Sequence, residues 1–201
     1  AEPVIDGGYM LFYCNGGEHD WYRVCRVTDE GDTLWTRLIM EIEEPDPWTR
    51  LKGIFPSSCN PAHFFIFGKK RYGPPHGRMT SYITKIDTSG EVLWTREHYW
   101  GGIVSDQVVS MEAFDDGTYA LVGVRDYRNV QYMQITEDGD SLNAFQYGRL
   151  GGTADHYMRT LVIGGERLLI YTQFDHIEWD RRCSGLLYIN EEGDSLDGYF
   201  F

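Results

Sequence analysis

The sequence predicts an all-β protein built from four repeats of one four-stranded antiparallel unit, on three observations. A stretch at 28–37 returns at 87–96, 136–142 and 190–196, each copy with a turn glycine and a leucine three residues later. The turn glycines of successive copies are 59, 49 and 54 residues apart. Aromatic residues make up 15% of the chain, and its 23 glycines suit strands joined by tight turns. The turn glycines are Gly31, Gly90, Gly139 and Gly193.

The repeat period also predicts the architecture. Periods in this range are typical of propeller blades and of other repeat arrays. At 201 residues, four such repeats fit one domain better than two. We therefore expect a single β-propeller domain, or a segment of a propeller, over residues 1–201. The expected blades span approximately 1–40, 46–99, 106–147 and 155–201.

The third repeat is the clearest template for the strands, which we name a to d. Strand a alternates between apolar and polar residues, and strand b is an apolar run beyond the turn at Gly117. Strands c and d flank the second turn, at Gly139. Each repeat is thus expected to be an antiparallel meander. In the third repeat the predicted strands are 108–114, 118–124, 130–136 and 141–147.

The same template fits the other copies, although the first is incomplete. Aligning 6–11 with 116–121 places Ala1 near the middle of strand a. The first repeat should therefore lack most of its innermost strand, leaving about fifteen strands instead of the sixteen of four full meanders. Predicted strands of the second repeat are 48–55, 63–68, 81–86 and 92–98, and those of the fourth are 157–163, 167–174, 185–189 and 195–201.

Two apolar positions recur in all four copies, and we expect both to pack between repeats. One lies in strand c and the other in strand d. The strand c residues are Val27, Ile86, Ile135 and Ile189, and the strand d residues are Leu34, Leu93, Leu142 and Leu196.

Charge and hydropathy exclude some classes of partner. The formal net charge of -13 argues against nucleic acid, whose phosphates require a basic face. No stretch approaches the roughly 18 apolar residues of a membrane span, so we expect no membrane insertion. The chain opens Ala1-Glu2-Pro3 without a charged and apolar leader, which predicts that a signal peptide was removed or was never there.

Cysteines and histidines give no metal or cofactor signal. The four cysteines show no C-x-x-C spacing, and the histidines are not paired. The acidic turns lack the alternating oxygen ligands of a calcium loop. We expect no metal and no cofactor. Buried free thiols are the favoured interpretation of the cysteines, and a Cys14–Cys25 disulfide between neighbouring strands is the alternative. The cysteines are Cys14, Cys25, Cys59 and Cys183.

The sequence Gly-Asp-Thr-Leu-Trp-Thr-Arg at 31–37, and the Tyr-Trp-Gly-Gly at 99–102 after its second copy, resemble β-propeller repeats of the WD40 and quinoprotein-like kind in secreted bacterial proteins. The resemblance covers all four copies. It implies a propeller fold and a secreted or cell-surface location. The turn at 29–33 is also similar to the Asp-box of sialidase-type propellers, but Leu34 stands where that motif has tryptophan.

In propellers the d–a and b–c loops share one rim, and here those loops combine aromatic residues with arginine and histidine. This composition is typical of sites that stack and hydrogen-bond a sugar or a peptide. We therefore predict a binding rim for a glycan or protein partner. Its candidate residues are His19, Trp21, Arg71, Tyr72, His76, Arg125, Tyr127, Trp179 and Arg181.

The favoured function is a non-catalytic binding or scaffold module, since functions vary widely on this fold. The alternative is a carbohydrate-active enzyme, a glycosidase or lyase. Arg71, Arg125 and Arg181 would then hold a carboxylate-bearing sugar, with Tyr72 or Tyr127 as nucleophile. The acid would be Asp20, Asp126 or Glu178. An open array would expose strand edges and apolar blade faces, which suggests a homodimer that completes a larger ring.

Overall fold

The computed structural model is all-β and contains four antiparallel sheets of four strands each. It describes residues 1–15, 20–42, 50–72, 78–99, 106–125, 129–149, 152–163, 167–176, 181–190 and 193–200. Within each sheet the strands lie in chain order. No helix in these ranges is long and apolar enough to cross a membrane.

Each sheet is one repeat, as the sequence predicts. The first sheet contains β1 (Glu2–Pro3), β2 (Tyr9–Asn15), β3 (Asp20–Val27) and β4 (Thr33–Ile42). The second contains β5 (Arg50–Pro56), β6 (His63–Tyr72), β7 (Arg78–Asp87) and β8 (Val92–His98). The third contains β9 (Asp106–Ala113), β10 (Tyr119–Arg125), β11 (Asn129–Ile135) and β12 (Ser141–Arg149). The fourth contains β13 (Gly152–Ile163), β14 (Arg167–His176), β15 (Arg181–Asn190) and β16 (Ser195–Phe200).

The strand count and the hairpin lengths differ from the expectation. Sixteen strands are described in place of about fifteen, because Glu2 and Pro3 pair with Met10 and Tyr9. The b–c hairpin of the second sheet also continues to the pair Tyr72 and Arg78. Backbone pairing does not require apolar side chains, so polar segments that were predicted as loops extend the strands. The predicted rim residues that lie in strands for this reason are Trp21, Arg71, Tyr72, Arg125 and Arg181.

One turn geometry closes the c–d hairpin of every sheet. In the third sheet, Gly139 N donates to Thr136 O at 3.0 Å, and Thr136 N donates to Asp140 O at 2.9 Å. Equivalent pairs of bonds occur in the other three sheets. The φ angle of Gly139 is 79°, a left-handed conformation that glycine adopts without strain. This is a three-residue hairpin loop whose glycine forms a bulge.

A second bulge, in strand d, corrects one expectation about the leucines. Ile135 pairs with Ser141 and Gln134 pairs with Asn143, which leaves Leu142 as the extra residue of the bulge. The strand c residues are buried between sheets as predicted, with the exception that Val27 lies on the outer face of the first sheet. The prediction for strand d is wrong, because an extra residue breaks the alternation of faces. The exposed fractions are 56% for Leu34, 46% for Leu93 and 50% for Leu142, and the side chain of Leu196 lies outside the described residues.

The sheets stack face to face in chain order, and three apolar layers separate them. We call the side of a sheet that packs on the preceding sheet its back face, and the opposite side its front face. In the second sheet Phe64 and Ile66 are on the back face, and Phe65 and Phe67 are on the front face. Strand b is therefore buried on both sides, which explains its uninterrupted apolar run.

The third sheet repeats this alternation. Tyr119 and Leu121 face the second sheet, whereas Ala120 and Val122 face the fourth. Strand a of each later sheet contacts the preceding sheet: β5 contacts β1 and β2, β9 contacts β5, β6 and β7, and β13 contacts β9 and β10. Four equivalent units thus make three equivalent interfaces.

Three cysteines are free thiols. Cys14 pairs in register with Tyr22, and Cys25 pairs with Leu11, so the two thiols lie on opposite faces of the first sheet and form no disulfide. Cys25 is buried, as predicted, whereas Cys14 and Cys59 are exposed. Burial raises the pKa of the Cys25 thiol. Cys183 lies outside the residues with described side chains.

These exposures predict a pattern of thiol reactivity. In a Cys183→Ser variant, two thiols should react with a disulfide reagent as soon as the folded protein is mixed with it. The third, Cys25, should react only on unfolding, because burial restricts access and disfavours the thiolate. Absorbance of the released thiol measures both phases. Fast reaction of all three thiols in the folded protein would contradict the burial of Cys25.

Candidate functional site

Most of the predicted binding rim lies outside the described residues. His19, His76, Tyr127 and Trp179 are in segments that the structure does not describe. The backbones of four further candidates lie at the ends of b–c hairpins, but their side chains are not described. These are Arg71, Tyr72, Arg125 and Arg181. The binding rim therefore stays a prediction.

Trp21 is the one rim candidate with a described side chain. It lies in β3, is half-buried, and shares the back face of the first sheet with Arg23. The Arg23 guanidinium carbon lies 5.4 Å from the centroid of the Trp21 ring. Nε1 of Trp21 is buried and donates to no partner among the described residues. The indole N–H is therefore not open to solvent at this end of the sheet.

The densest polar cluster with described side chains lies at the opposite end, between the second and third sheets. At its centre is the carboxylate of Glu137, in the c–d turn of the third sheet. Ser57 Oγ donates to Glu137 Oε1 at 2.7 Å, and the Tyr119 hydroxyl donates to Oε2. Lys85 Nζ, from β7, lies 2.7 Å from Oε1. Side chains from two sheets therefore bind one carboxylate through hydrogen bonds and an ion pair.

Both hydroxyl groups of the cluster use their full hydrogen-bonding capacity. Ser58 donates to the Tyr119 hydroxyl from its backbone N, at 2.9 Å, and from Oγ, at 3.0 Å. Ser57 Oγ accepts from Cys59 N at 3.2 Å and from Asn60 N at 3.0 Å. A hydroxyl has one donor and two acceptor sites, so none remains free.

Ionisation in the cluster follows from these contacts. Burial raises the pKa of Tyr119 to about 12, and its hydrogen bond to Glu137 acts in the same direction. For Glu137, burial alone would raise the pKa, but hydrogen bonds from Lys85, Tyr119 and Ser57 outweigh it and lower the pKa. At neutral pH the tyrosine is protonated and the carboxylate is ionised.

This cluster is suited to holding the two sheets together. A general base would need a raised pKa, and the pKa of Glu137 is lowered. A serine nucleophile would need a base stronger than this carboxylate. Instead, every group spans or supports the interface, since Ser57 and Lys85 belong to the second sheet and Tyr119 and Glu137 to the third. We call these four residues the Glu137 latch.

The sequence carried one signal for the latch. Lys85 lies between Thr84 and Ile86 in strand c, directly opposite Phe65, which is fully buried. A lysine at such a position requires a partner. Nothing in the local sequence distinguishes the acidic turn containing Glu137 from the other acidic turns.

A second contact joins neighbouring sheets at the same end, through the turn glycines. A Cβ on Gly139 would lie 2.7 Å from Cη2 of Trp94 and 2.9 Å from Cγ of Arg96, both in β8 of the preceding sheet. A Cβ on Gly90 would lie 2.8 Å from Trp35. A Cβ on Gly193 would overlap the ring of Phe145. Each turn therefore rests directly on strand d of the sheet before it.

Hydrogen bonds accompany these contacts. The Tyr147 hydroxyl, in β12, donates to Gly193 O. His98 stands at the equivalent position of β8 and bonds the backbone of Gly139. Burial raises the pKa of Tyr147 and lowers that of His98, with the charge of Asp194 adding to the shift of Tyr147. Both side chains are therefore expected to be neutral at neutral pH.

Metal ligands are not grouped in the part of the chain whose side chains are described: no three His, Cys, Asp or Glu residues there lie close enough to hold an ion.

Comparisons with known proteins find structural matches but no family. No protein-family profile matches the chain, and no curated protein matches it. Among solved structures, one match is a crystal structure of the eukaryotic initiation factor, with 10% sequence identity and a TM-score of 0.47. The match covers 98% of this chain and 44% of that chain, so this chain spans less than half of its length.

Proposed function

We propose that the four stacked sheets are blades of a β-propeller, and that the protein is a non-catalytic binding or scaffold module. In this proposal the b–c end of the sheets contacts a glycan or protein partner, and the module belongs to a secreted or surface-attached bacterial protein. The location is supported by the resemblance of the repeats at 31–37 and 87–102 to those of such proteins.

The stacking of equivalent sheets in chain order is the observation that carries the proposal. Strand a of each later sheet contacts the preceding sheet, which is the relation between successive propeller blades. At the turn end, the Glu137 latch and the turn glycines are committed to contacts between sheets. The b–c end is therefore the end left for a ligand, and the half-buried ring of Trp21 lies at that end.

Array binding tests the proposal directly. We expect the purified chain to bind members of an array of neutral and acidic oligosaccharides, or of an array of immobilised peptides. A Trp21→Ala/Trp179→Ala variant should weaken that binding at least tenfold, because aromatic rings supply much of the contact energy at such surfaces. A matched control, Leu93→Ala/Leu142→Ala, removes two exposed apolar side chains at the turn end and should bind as the unmodified chain does.

Two outcomes would contradict the proposal. One is the absence of binding to both arrays by a folded chain. The other is unchanged binding by the tryptophan variant, with circular dichroism showing that it is folded.

A further inference from the structure

The back face of the first sheet has the apolar pattern of an interface. In the other three sheets, the strand b residue opposite Ile86, Ile135 or Ile189 is fully buried against the preceding sheet. The equivalent residue of the first sheet, opposite Val27, is Tyr9, which is 44% exposed. Tyr13, on the same face, is 40% exposed. The buried equivalents of Tyr9 are Phe64, Tyr119 and Leu168.

The front face of the fourth sheet is the counterpart. Leu169 has the register position that Phe65 has in the second sheet and Ala120 has in the third. Phe65 and Ala120 are both fully buried. Leu169 is only half-buried, and Leu161, its neighbour across β13 and β14, is 58% exposed. Tyr171, Leu186 and Tyr188 extend the same face.

The turn glycines give a second, independent observation. Gly90, Gly139 and Gly193 each rest on a ring or an arginine stem of the preceding sheet, whereas no described atom lies within 4 Å of a Cβ built on Gly31. In β16, Tyr199 holds the register position of Phe145 in β12. The c–d turn of the first sheet thus rests on no described strand d of another sheet. Strand d of the fourth sheet, β16, in turn has no following sheet in the described ranges whose turn could rest on it.

Terminal units of repeat arrays usually carry a polar outer face that keeps them soluble. Here both outer faces carry exposed apolar side chains instead, and exposed patches of this kind mark interaction sites. The outer face of the first sheet is a back face, and that of the fourth sheet is a front face. Each of the three interfaces inside the chain joins one front face to one back face. The occupant that fits each outer face is therefore another sheet of this same repeat.

We propose that the front face of the fourth sheet of one copy stacks on the back face of the first sheet of a second copy, with the Gly31 turn resting on β16 of its neighbour. The contact joins different faces, so it is heterologous and gives a ring when the rotation between copies closes. Two copies supply eight sheets, within the range of four to eight blades that propellers use. The proposal concerns assembly and does not depend on the ligand of the b–c end.

Solution mass is the first test. Light scattering on a sizing column should give a particle near twice the single-chain mass of 23.3 kDa, and dilution should return it to one chain. A chain that stays at the single mass at every concentration overturns the proposal.

Face variants then test which surfaces meet. The back-face variant is Tyr9→Asp/Tyr13→Asp, and the front-face variant is Leu161→Asp; all three side chains are well exposed in the single chain, so folding should be kept. Each variant alone should be a single chain. Mixed together, they should form a dimer through the one interface that is intact in the mixture.

The control variant is Leu93→Asp/Leu142→Asp, which places the same charges on exposed leucines away from both faces and should remain a dimer. A front-face variant that still dimerises alone would show that back faces pair with each other, which overturns the proposal. Loss of the dimer in the control, with the fold retained, would also overturn it.

Discussion

We expect Gly139→Ala to lower the free energy of unfolding by about 2–5 kcal/mol, because two costs add at this position. The φ angle of Gly139 is 79°, and an L residue in that region costs about 1–2 kcal/mol. The new Cβ would also lie 2.7 Å from the Trp94 ring. Trp94 packs on the apolar layer beneath it and cannot move aside freely, so the overpacking costs about 1–3 kcal/mol more.

Gly117→Ala is a matched control in the same sheet. Gly117 closes the a–b turn with the same pair of backbone hydrogen bonds and a φ angle of 84°. Its Cβ would meet only Cys59 Sγ, at 3.1 Å, and that exposed side chain can shift. We expect a loss of about 1–2 kcal/mol, from backbone strain alone. Urea unfolding of both variants measures the difference, and equal losses would mean that the Gly139 turn does not rest on β8.

The strands and hairpins could be predicted from the sequence, because each repeat contains glycine turns flanked by alternating apolar and polar residues. A glycine turn and the flanking alternation determine which residues of a hairpin face the same side. Ile86, Ile135 and Ile189 were placed correctly for that reason. Leu142 was placed on the wrong side because a bulge adds one residue, and apolarity alone does not show on which side of the bulge a leucine falls.

The Glu137 latch could not be predicted in the same way. Its residues are separated by up to 80 positions, and they meet only because the second and third sheets stack. The sequence shows four acidic or polar turns of similar composition. Only the neighbouring sheet determines which turn carboxylate receives a buried lysine, and for that reason Lys85 was the one informative residue.

We expect Lys85→Met to cost about 3 kcal/mol, at the lower end of the range for breaking a buried ion pair. The lysine side chain is only 7% exposed, whereas the Glu137 side chain is 22% exposed and keeps some contact with water. The variant leaves the carboxylate without its cation between two sheets. A double variant, Lys85→Met/Glu137→Gln, should recover part of the loss, and a double-mutant cycle in urea measures the coupling.

Lys70→Met provides the control, since it removes the same side chain from an ion pair in the same sheet. Lys70 Nζ lies 3.3 Å from Glu97 Oε1, with exposed side-chain fractions of 33% and 29%. Such exposed pairs contribute about 0–1 kcal/mol. If Lys85→Met costs no more than Lys70→Met, the Glu137 latch does not hold the sheets together.

The pH dependence of stability gives the latch a signature that a packing defect would not reproduce. The lowered pKa of Glu137 means that its contribution is complete above its ordinary pKa of 4.5 and is lost as the pH falls through the lower folded value. The pKa of Tyr119 is raised from 10.0 to about 12, so its contribution is complete below pH 10 and is lost as the pH rises towards 12.

The loss of stability at alkaline pH can be tested with the variant Tyr119→Phe, which keeps the ring but removes the hydroxyl. Near neutral pH the variant should be about 1–3 kcal/mol less stable, because Glu137 and Ser58 each lose a hydrogen-bond partner. That difference should shrink as the pH rises from 10 to about 12, since the unfolded tyrosine releases its proton first. If the difference stays constant over this interval, the Tyr119 hydroxyl does not donate to Glu137 in the folded protein.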